Sequence, residues 1–155
     1  MRRERQGDEE IRPGLTALLA NVLHRGAAVP GTVVWEGAQV VELAVGRHLR
    51  PARSSVYEFP DGLLVPGLID LHTHGGGGAA VHAGPAALAA AGRWHAANGT
   101  TGFLASVPAL DWAELLAASH TVAEAVAAGA VPNLIGLHLE GPFLNPSRAG
   151  SLPPA

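Results

Sequence analysis

The chain of 155 residues contains no cysteine and no lysine. Without thiols it can form neither a disulfide nor a thiolate metal site, so any bound metal must use nitrogen and oxygen donors. All ten basic residues are arginine, which, with the abundant alanine, glycine and proline, reads as codon bias in a GC-rich genome. They form no basic block and the formal net charge is −3, so the electrostatic footprint of a nucleic-acid binder or of an anionic-membrane partner is missing. The charged start Met1-Arg2-Arg3-Glu4-Arg5 leads into no long apolar h-region, and no apolar run reaches the length of a membrane span. Nucleophile elbow, P-loop and dinucleotide fingerprint are absent as well. These absences predict a cytoplasmic protein with no nucleic acid and no membrane among its partners.

What is present is an apolar fraction of 48%, enough for a core. Residues 1–14 are polar and carry Pro13-Gly14, the pattern of a disordered tail. Leu15 to Leu23 is an apolar stretch that suits a strand or a short helix. Thr32-Val33-Val34-Trp35 and Gln39 to Val45 are β-branched runs about Glu36-Gly37-Ala38, which predicts a hairpin, and Ser55 to Phe59 predicts another strand. Residues 15–62 are therefore expected to form a small β-sandwich-like module.

Beyond Pro60-Asp61-Gly62 the texture changes. Leu64 to Leu71 is a nearly continuous apolar run, the mark of a strand buried on both faces. Gly84-Pro85 opens a helix that Gly99 closes. Thr101 to Val107 is a second strand. Asp111-Trp112-Ala113-Glu114 caps a second helix, which Gly129 ends. Leu134 to Glu140 is a third strand, stopped by Gly141-Pro142. The strands centre near Ile69, Leu104 and Leu137, 35 and 33 residues apart, with a helix in each gap. That repeat implies parallel pairing and right-handed crossovers. Gly75 to Gly78 fits no dinucleotide-binding turn, because Ala80 stands where the last glycine belongs. The expectation for residues 63–155 is thus an α/β fold, an incomplete (β/α)8 TIM-like barrel made of its first three βα units. Three strands cannot close a barrel, so the chain is read as the amino-terminal portion of a longer enzyme.

The chemistry gathers at strand ends. Strict alternation puts Asp70, His72 and His74 on one face of the first strand and Ile69, Leu71 and Thr73 on the other. The glycines that follow leave room above the imidazoles for a ligand. Glu140 is expected at the same carboxyl-terminal rim, with His138 one layer deeper on its face. Two imidazoles and a carboxylate suit a divalent cation such as zinc, which lowers the pKa of a water and polarises a carbonyl. Asp70 and His138 are candidates for orienting the ligands from behind.

These residues carry a resemblance. Pro66-Gly67-Leu68-Ile69-Asp70-Leu71-His72-Thr73-His74-Gly75 resembles the first barrel strand of the amidohydrolase superfamily. Gly136-Leu137-His138-Leu139-Glu140-Gly141-Pro142-Phe143-Leu144, followed by Arg148-Ala149-Gly150, resembles the N-acetylglucosamine-6-phosphate deacetylase family more specifically, and Gly99-Thr100-Thr101 agrees. The resemblance implies metal-dependent deacetylation of an amino-sugar phosphate, with Glu140 a metal ligand. His72 and His74 match a pair that holds a second or adjoining metal in some members and is replaced in others. The catalytic acid and base are expected from later strands, outside these residues, so the chain alone is expected to be inactive. At Ser151 and Leu152 the family usually has a small residue and then a histidine near the sugar. Leucine cannot donate that hydrogen bond, which puts substrate contact there in question. Members often form dimers, so a homodimer is an expected assembly.

Two other readings stay open. A cyclic-amidase type of amidohydrolase often bridges two metals through a carbamylated lysine, which this chain lacks. A non-catalytic remnant is the third. His24, His48, His82, His95 and His120 are singletons expected at the surface or in caps, and Trp94 and Trp112 are expected to pack in the core or on helices.

Overall fold

A computed structural model of the chain describes residues 14–52 and 54–150; the expected tail, apart from Gly14, and the expected sugar-side residues Ser151 and Leu152 lie outside them. The chain divides into two units between Pro66 and Gly67.

The first unit is a four-stranded sheet in the order β3-β2-β1-β4. Strand β1 (Leu15–His24) pairs antiparallel with β2 (Ala27–Glu36), and β2 antiparallel with β3 (Gln39–Val45). Leu15 to Leu23, open between helix and strand from the sequence, is strand, because Arg25 and Gly26 both take positive φ and turn the chain straight back into β2. That is the two-residue connection whose twist matches paired strands. Ala17, Leu19 and Val34 are the buried residues of this unit's core cluster. Strand β4 (Ser55–Leu64) pairs parallel with β1. It runs through Pro60-Asp61-Gly62, where the sequence suggested a break, and takes Leu64 from the strand expected to follow. The ladder shifts register between Leu19 and Asn21. There the Asn21 side-chain amide donates to the carbonyls of Pro60, at 2.9 Å, and Gly62, at 3.2 Å, so a side chain satisfies β4 carbonyls where the backbone ladder is interrupted.

The second unit carries the alternation read from the sequence. Strand β5 (Leu68–Thr73) leads through a two-residue hairpin, β6 (Gly75–Gly76) and β7 (Ala79–Ala80), to helix α1 (Pro85–Ala97). Strand β8 (Thr100–Val107), helix α2 (Trp112–Ala127) and strand β9 (Leu134–Leu139) follow. The sheet order is β5-β8-β9 and both pairings are parallel. Pro85 occupies the first turn of α1, where a missing N–H costs nothing. The Asp111 side chain accepts the Glu114 N–H and starts α2. Val81, Leu88, Ala91, Phe103, Ala105, Val122, Val131 and Leu134 form the core between the helices and one face of the sheet.

The expectation that the first strand is buried on both faces is not met. Leu68, Ile69 and Leu71 of β5 are more than half exposed. The physical reason is position: β5 is an edge strand and both helices pack on the Phe103 side. On the other face Ile69 and Ile135 flank Gly102, where an added Cβ would meet the Ile69 Cδ1 at 2.9 Å. No helix among the described residues is long and apolar enough to cross a membrane.

Candidate metal centre

Alternation along β5 breaks before the histidines. Asp70 is in register with Phe103 and Thr73 with Ala105, so three steps on β5 match two on β8. Residues in register on parallel strands point to the same face, so Asp70 and Thr73 share the helix-covered side. This corrects the expectation that Asp70 shares a face with the imidazoles, while Thr73 lies opposite His72 as expected. Such a bulge re-aims a side chain, and here it sends His72 to the open face, where its ring lies 4.8 Å from that of His138. The next two N–H groups go to side chains: His72 N–H to Asp70 Oδ1 at 3.1 Å and Thr73 N–H to Ser106 Oγ at 3.1 Å. Asp70 therefore holds the backbone of His72 and touches no imidazole.

Glu140 reaches the same place from a position 68 residues further along. It follows β9 directly, and its N–H donates to the Val107 carbonyl at 3.0 Å, which pins it to the strand end. Its Oε2 lies 2.8 Å from His74 Nε2 and 3.3 Å from His72 Nε2, and the two Nε2 atoms are 3.3 Å apart. His72, His74 and Glu140 are the group of potential metal donors found among the described residues.

The hydrogen bonds fix what this cluster can hold. His74 Nδ1 is 2.8 Å from the Ser106 carbonyl, which can only accept, so Nδ1 carries the hydrogen. A neutral His74 then turns the lone pair of Nε2 toward a carboxylate oxygen at 2.8 Å. Two acceptors that close need a cation between them, either a proton or a metal. Donors around a tetrahedral zinc ion with bonds of ~2.1 Å stand about 3.4 Å apart, close to the two 3.3 Å separations here. The third separation, 2.8 Å between His74 Nε2 and Glu140 Oε2, is shorter, and the nitrogen and oxygen donors together form a set that a divalent cation could share.

The glycine tract serves a further end besides the one expected. Gly75 to Gly78 does not simply clear space above the imidazoles. An added Cβ would meet Trp94 Cε3 at 2.5 Å from Gly76 and Trp94 Cδ1 at 2.7 Å from Gly77, so at these two positions glycine is required because α1 presses an indole onto the hairpin. Trp94 thus packs as expected. Trp112, 62% exposed in the first turn of α2, does not. His95, expected at the surface, is buried at 5% exposure. It stacks on Phe103 and places Nε2 3.2 Å from both Thr73 Oγ1 and the Gly75 carbonyl, bracing the segment around His74. The sequence reading missed two residues that the fold puts at the site, His95 and Ser106. A histidine in the last turn of a helix that follows a glycine-rich turn was the signal for the first; the second had none.

A parallel βα unit with imidazoles and a carboxylate converging at the carboxyl ends of its strands is the class that fold and site define. No family model matches the chain. Over 130 residues, 79% of this chain and 32% of the relative, it is 33% identical to the N-acetylglucosamine-6-phosphate deacetylase of Bacillus subtilis (strain 168). Over 101 residues, 64% of this chain and 25% of the relative, it is 39% identical to the N-acetylgalactosamine-6-phosphate deacetylase of Shewanella sp. (strain ANA-3). Among solved structures, a mutant N-acetyl-D-glucosamine-6-phosphate deacetylase from Mycobacterium smegmatis, in complex with N-acetyl-D-glucosamine-6-phosphate, superimposes with a TM-score of 0.77 at 33% identity, covering 91% of this chain and 36% of that one. The enzyme from Pasteurella multocida shares the fold at a TM-score of 0.78 and 20% identity, covering 90% of this chain and 37% of that one. The chain thus resembles the amino-terminal portion of N-acetylglucosamine-6-phosphate deacetylases. It spans 25% and 32% of the length of the two curated relatives.

Proposed function

We propose that the chain is the metal-holding amino-terminal portion of a cytoplasmic deacetylase acting on an N-acetylated amino sugar 6-phosphate. In this reading the second unit, from Gly67 on, forms the first three βα units of a (β/α)8 barrel, and the first unit, to Pro66, the module that precedes it. His72, His74 and Glu140 hold a divalent cation, zinc by its match to the donor set. The observation that carries the proposal is the approach of three donor atoms within 3.3 Å of one another, on a chain whose relatives are deacetylases of such sugars.

When bound, the cation supplies a water of lowered pKa and polarises the acetyl carbonyl. The residues do the rest. Glu140 brings the negative charge that offsets the cation, and both imidazoles present Nε2 to it. The Ser106 carbonyl keeps the His74 hydrogen away from that nitrogen. By the family resemblance Ser151 and Leu152 stand at the sequence positions expected to contact the sugar, and leucine brings no hydrogen-bond donor there. The remaining catalytic groups lie outside this chain, so it does not turn over alone.

Metal analysis and acetate release on the 155-residue chain test this. Zinc at one equivalent per chain and no acetate release are expected. The Glu140→Gln variant should bind zinc more than about 100-fold less tightly, beyond the ~10–100-fold typical of outer-sphere partners. Full zinc content in that variant would remove Glu140 from the ligands, and turnover by the chain alone would refute its incompleteness. A chimera with the matching segment of the Bacillus subtilis enzyme replaced by this chain should deacetylate the glucosamine or galactosamine phosphate. A folded, zinc-loaded chimera inert toward both would refute the reaction.

A further inference from the structure

Strand β8 lies between the two strands that carry the cluster, and Ser106 on it is fully buried. Its bonds reach both neighbours. The carbonyl accepts His74 Nδ1–H at 2.8 Å, Oγ accepts Thr73 N–H at 3.1 Å, and Oγ is 2.9 Å from His138 Nδ1. A hydroxyl has one hydrogen to give and two lone pairs. Thr73 occupies one lone pair. The second lone pair could accept from an Nδ1–H, but the hydroxyl hydrogen is fully buried and needs an acceptor, and among the described residues the acceptor beside Oγ is His138 Nδ1; the hydrogen therefore goes to Nδ1 and the imidazole keeps its own on Nε2.

We infer that Ser106 is a positioning residue that gives two neighbouring histidines opposite roles, an Nε2 lone pair on His74 and an Nε2–H on His138. The role of the lone pair rests on the metal reading; the hydrogen positions do not. The consequence is selectivity within the cluster. The His138 ring sits 4.8 Å from that of His72, beside the donor group but outside it. With hydrogen on Nε2 and Nδ1 engaged by the serine, it has no free lone pair to offer. His138 then acts as a hydrogen-bond donor facing the site, available to an oxygen of a bound ligand.

The test is nitrogen-15 NMR of the histidine rings in the metal-free 155-residue chain, at a pH where they are neutral. The expected spectrum shows hydrogen on Nδ1 of His74 and on Nε2 of His138. In Ser106→Ala, His138 should become a mixture of both tautomers while His74, held by a backbone carbonyl, stays unchanged. A merely structural defect would disturb both rings. Ser106→Thr, which restores the hydroxyl, should restore the single form at His138. Hydrogen on Nδ1 of His138 in the parent chain overturns the inference whether or not the alanine variant folds. So does an alanine variant in which His138 keeps one form. Zinc is added afterwards: a parent chain that shows these tautomers and binds no zinc sinks the metal reading and leaves this inference standing.

Discussion

Placing a single methyl group at each glycine of the hairpin after His74 separates packing from backbone strain. At Gly78 an added Cβ meets nothing within 4 Å, but φ is +83°. Gly78→Ala therefore costs only the left-handed conformation, ~1–2 kcal/mol. At Gly76 the Cβ would sit 2.5 Å from Trp94 Cε3, 3.1 Å from Cδ2 and 3.3 Å from His95 Nε2. Those are atoms of two rings held by α1, so Gly76→Ala carries an over-packing cost of ~1–3 kcal/mol. Gly77 has both problems, a φ of +61° and Trp94 Cδ1 at 2.7 Å, for about 2–5 kcal/mol in all. Urea unfolding followed by circular dichroism gives each value from the midpoint at constant slope. The decisive measurement is a double-mutant cycle with Trp94→Ala. Removing the indole should relieve Gly76→Ala by about 1–2 kcal/mol, within the range for residues in contact, and leave Gly78→Ala unrelieved. Because the His74 carbonyl accepts the Val81 N–H at 2.9 Å, a displaced hairpin pulls on a candidate ligand, so Gly76→Ala should also weaken zinc binding. Equal penalties for Gly76→Ala with and without Trp94 would refute the account of why this tract is glycine.

Removing the cap of α2 with Asp111→Ala should cost ~1 kcal/mol by urea unfolding, since its side chain accepts the Glu114 N–H at 2.9 Å; no loss would show the helix start to be held otherwise. In the first unit, Arg50 lies 2.7 Å from Glu58 and holds that carboxyl below its ordinary range, through the hydrogen bond first. A lowered folded-state value means the pair helps stability above the unfolded carboxylate's titration, and the help is lost as pH falls through the lowered value. Both side chains are at least half exposed, so the effect is small and screened by salt. The midpoints of the parent chain and Glu58→Gln should differ slightly near neutral pH and converge in acid, and a gap that widens in acid would reverse the sign argued here.

What the sequence made legible follows from which interactions are local. Gly84-Pro85, Asp111 with Glu114, and Gly129 mark helix ends within a single turn, and the structure places α1 and α2 between them. The parallel pairing followed from strand and helix lengths, and with it the carboxyl-terminal rim where His72, His74 and Glu140 meet. Illegible were features set by a partner strand. The length of β4 depends on Asn21 across the sheet, and apolar content overstated the burial of β5 because composition does not tell an edge strand from a central one.

The β5 bulge is the instructive case. A period-two reading placed the imidazole pair and Asp70 on one face, yet a sheet tolerates an extra residue only where neighbours absorb the freed backbone groups. Here Asp70 takes one N–H and Ser106 the other. The aspartate two residues before His72 thus ties down the bulge from within β5, and the bulge in turn lets His72 reach Glu140. Asp70, singled out from the sequence, therefore acts through the backbone of His72 and not through its ring. If that dependence is right, losing the Asp70 carboxylate should move His72 while leaving His74 in place, because the His74 ring is held separately by the Ser106 carbonyl. NMR of Asp70→Ala would read this as a perturbed His72 ring beside an unchanged His74, and equal perturbation of both would mean the pair moves as one.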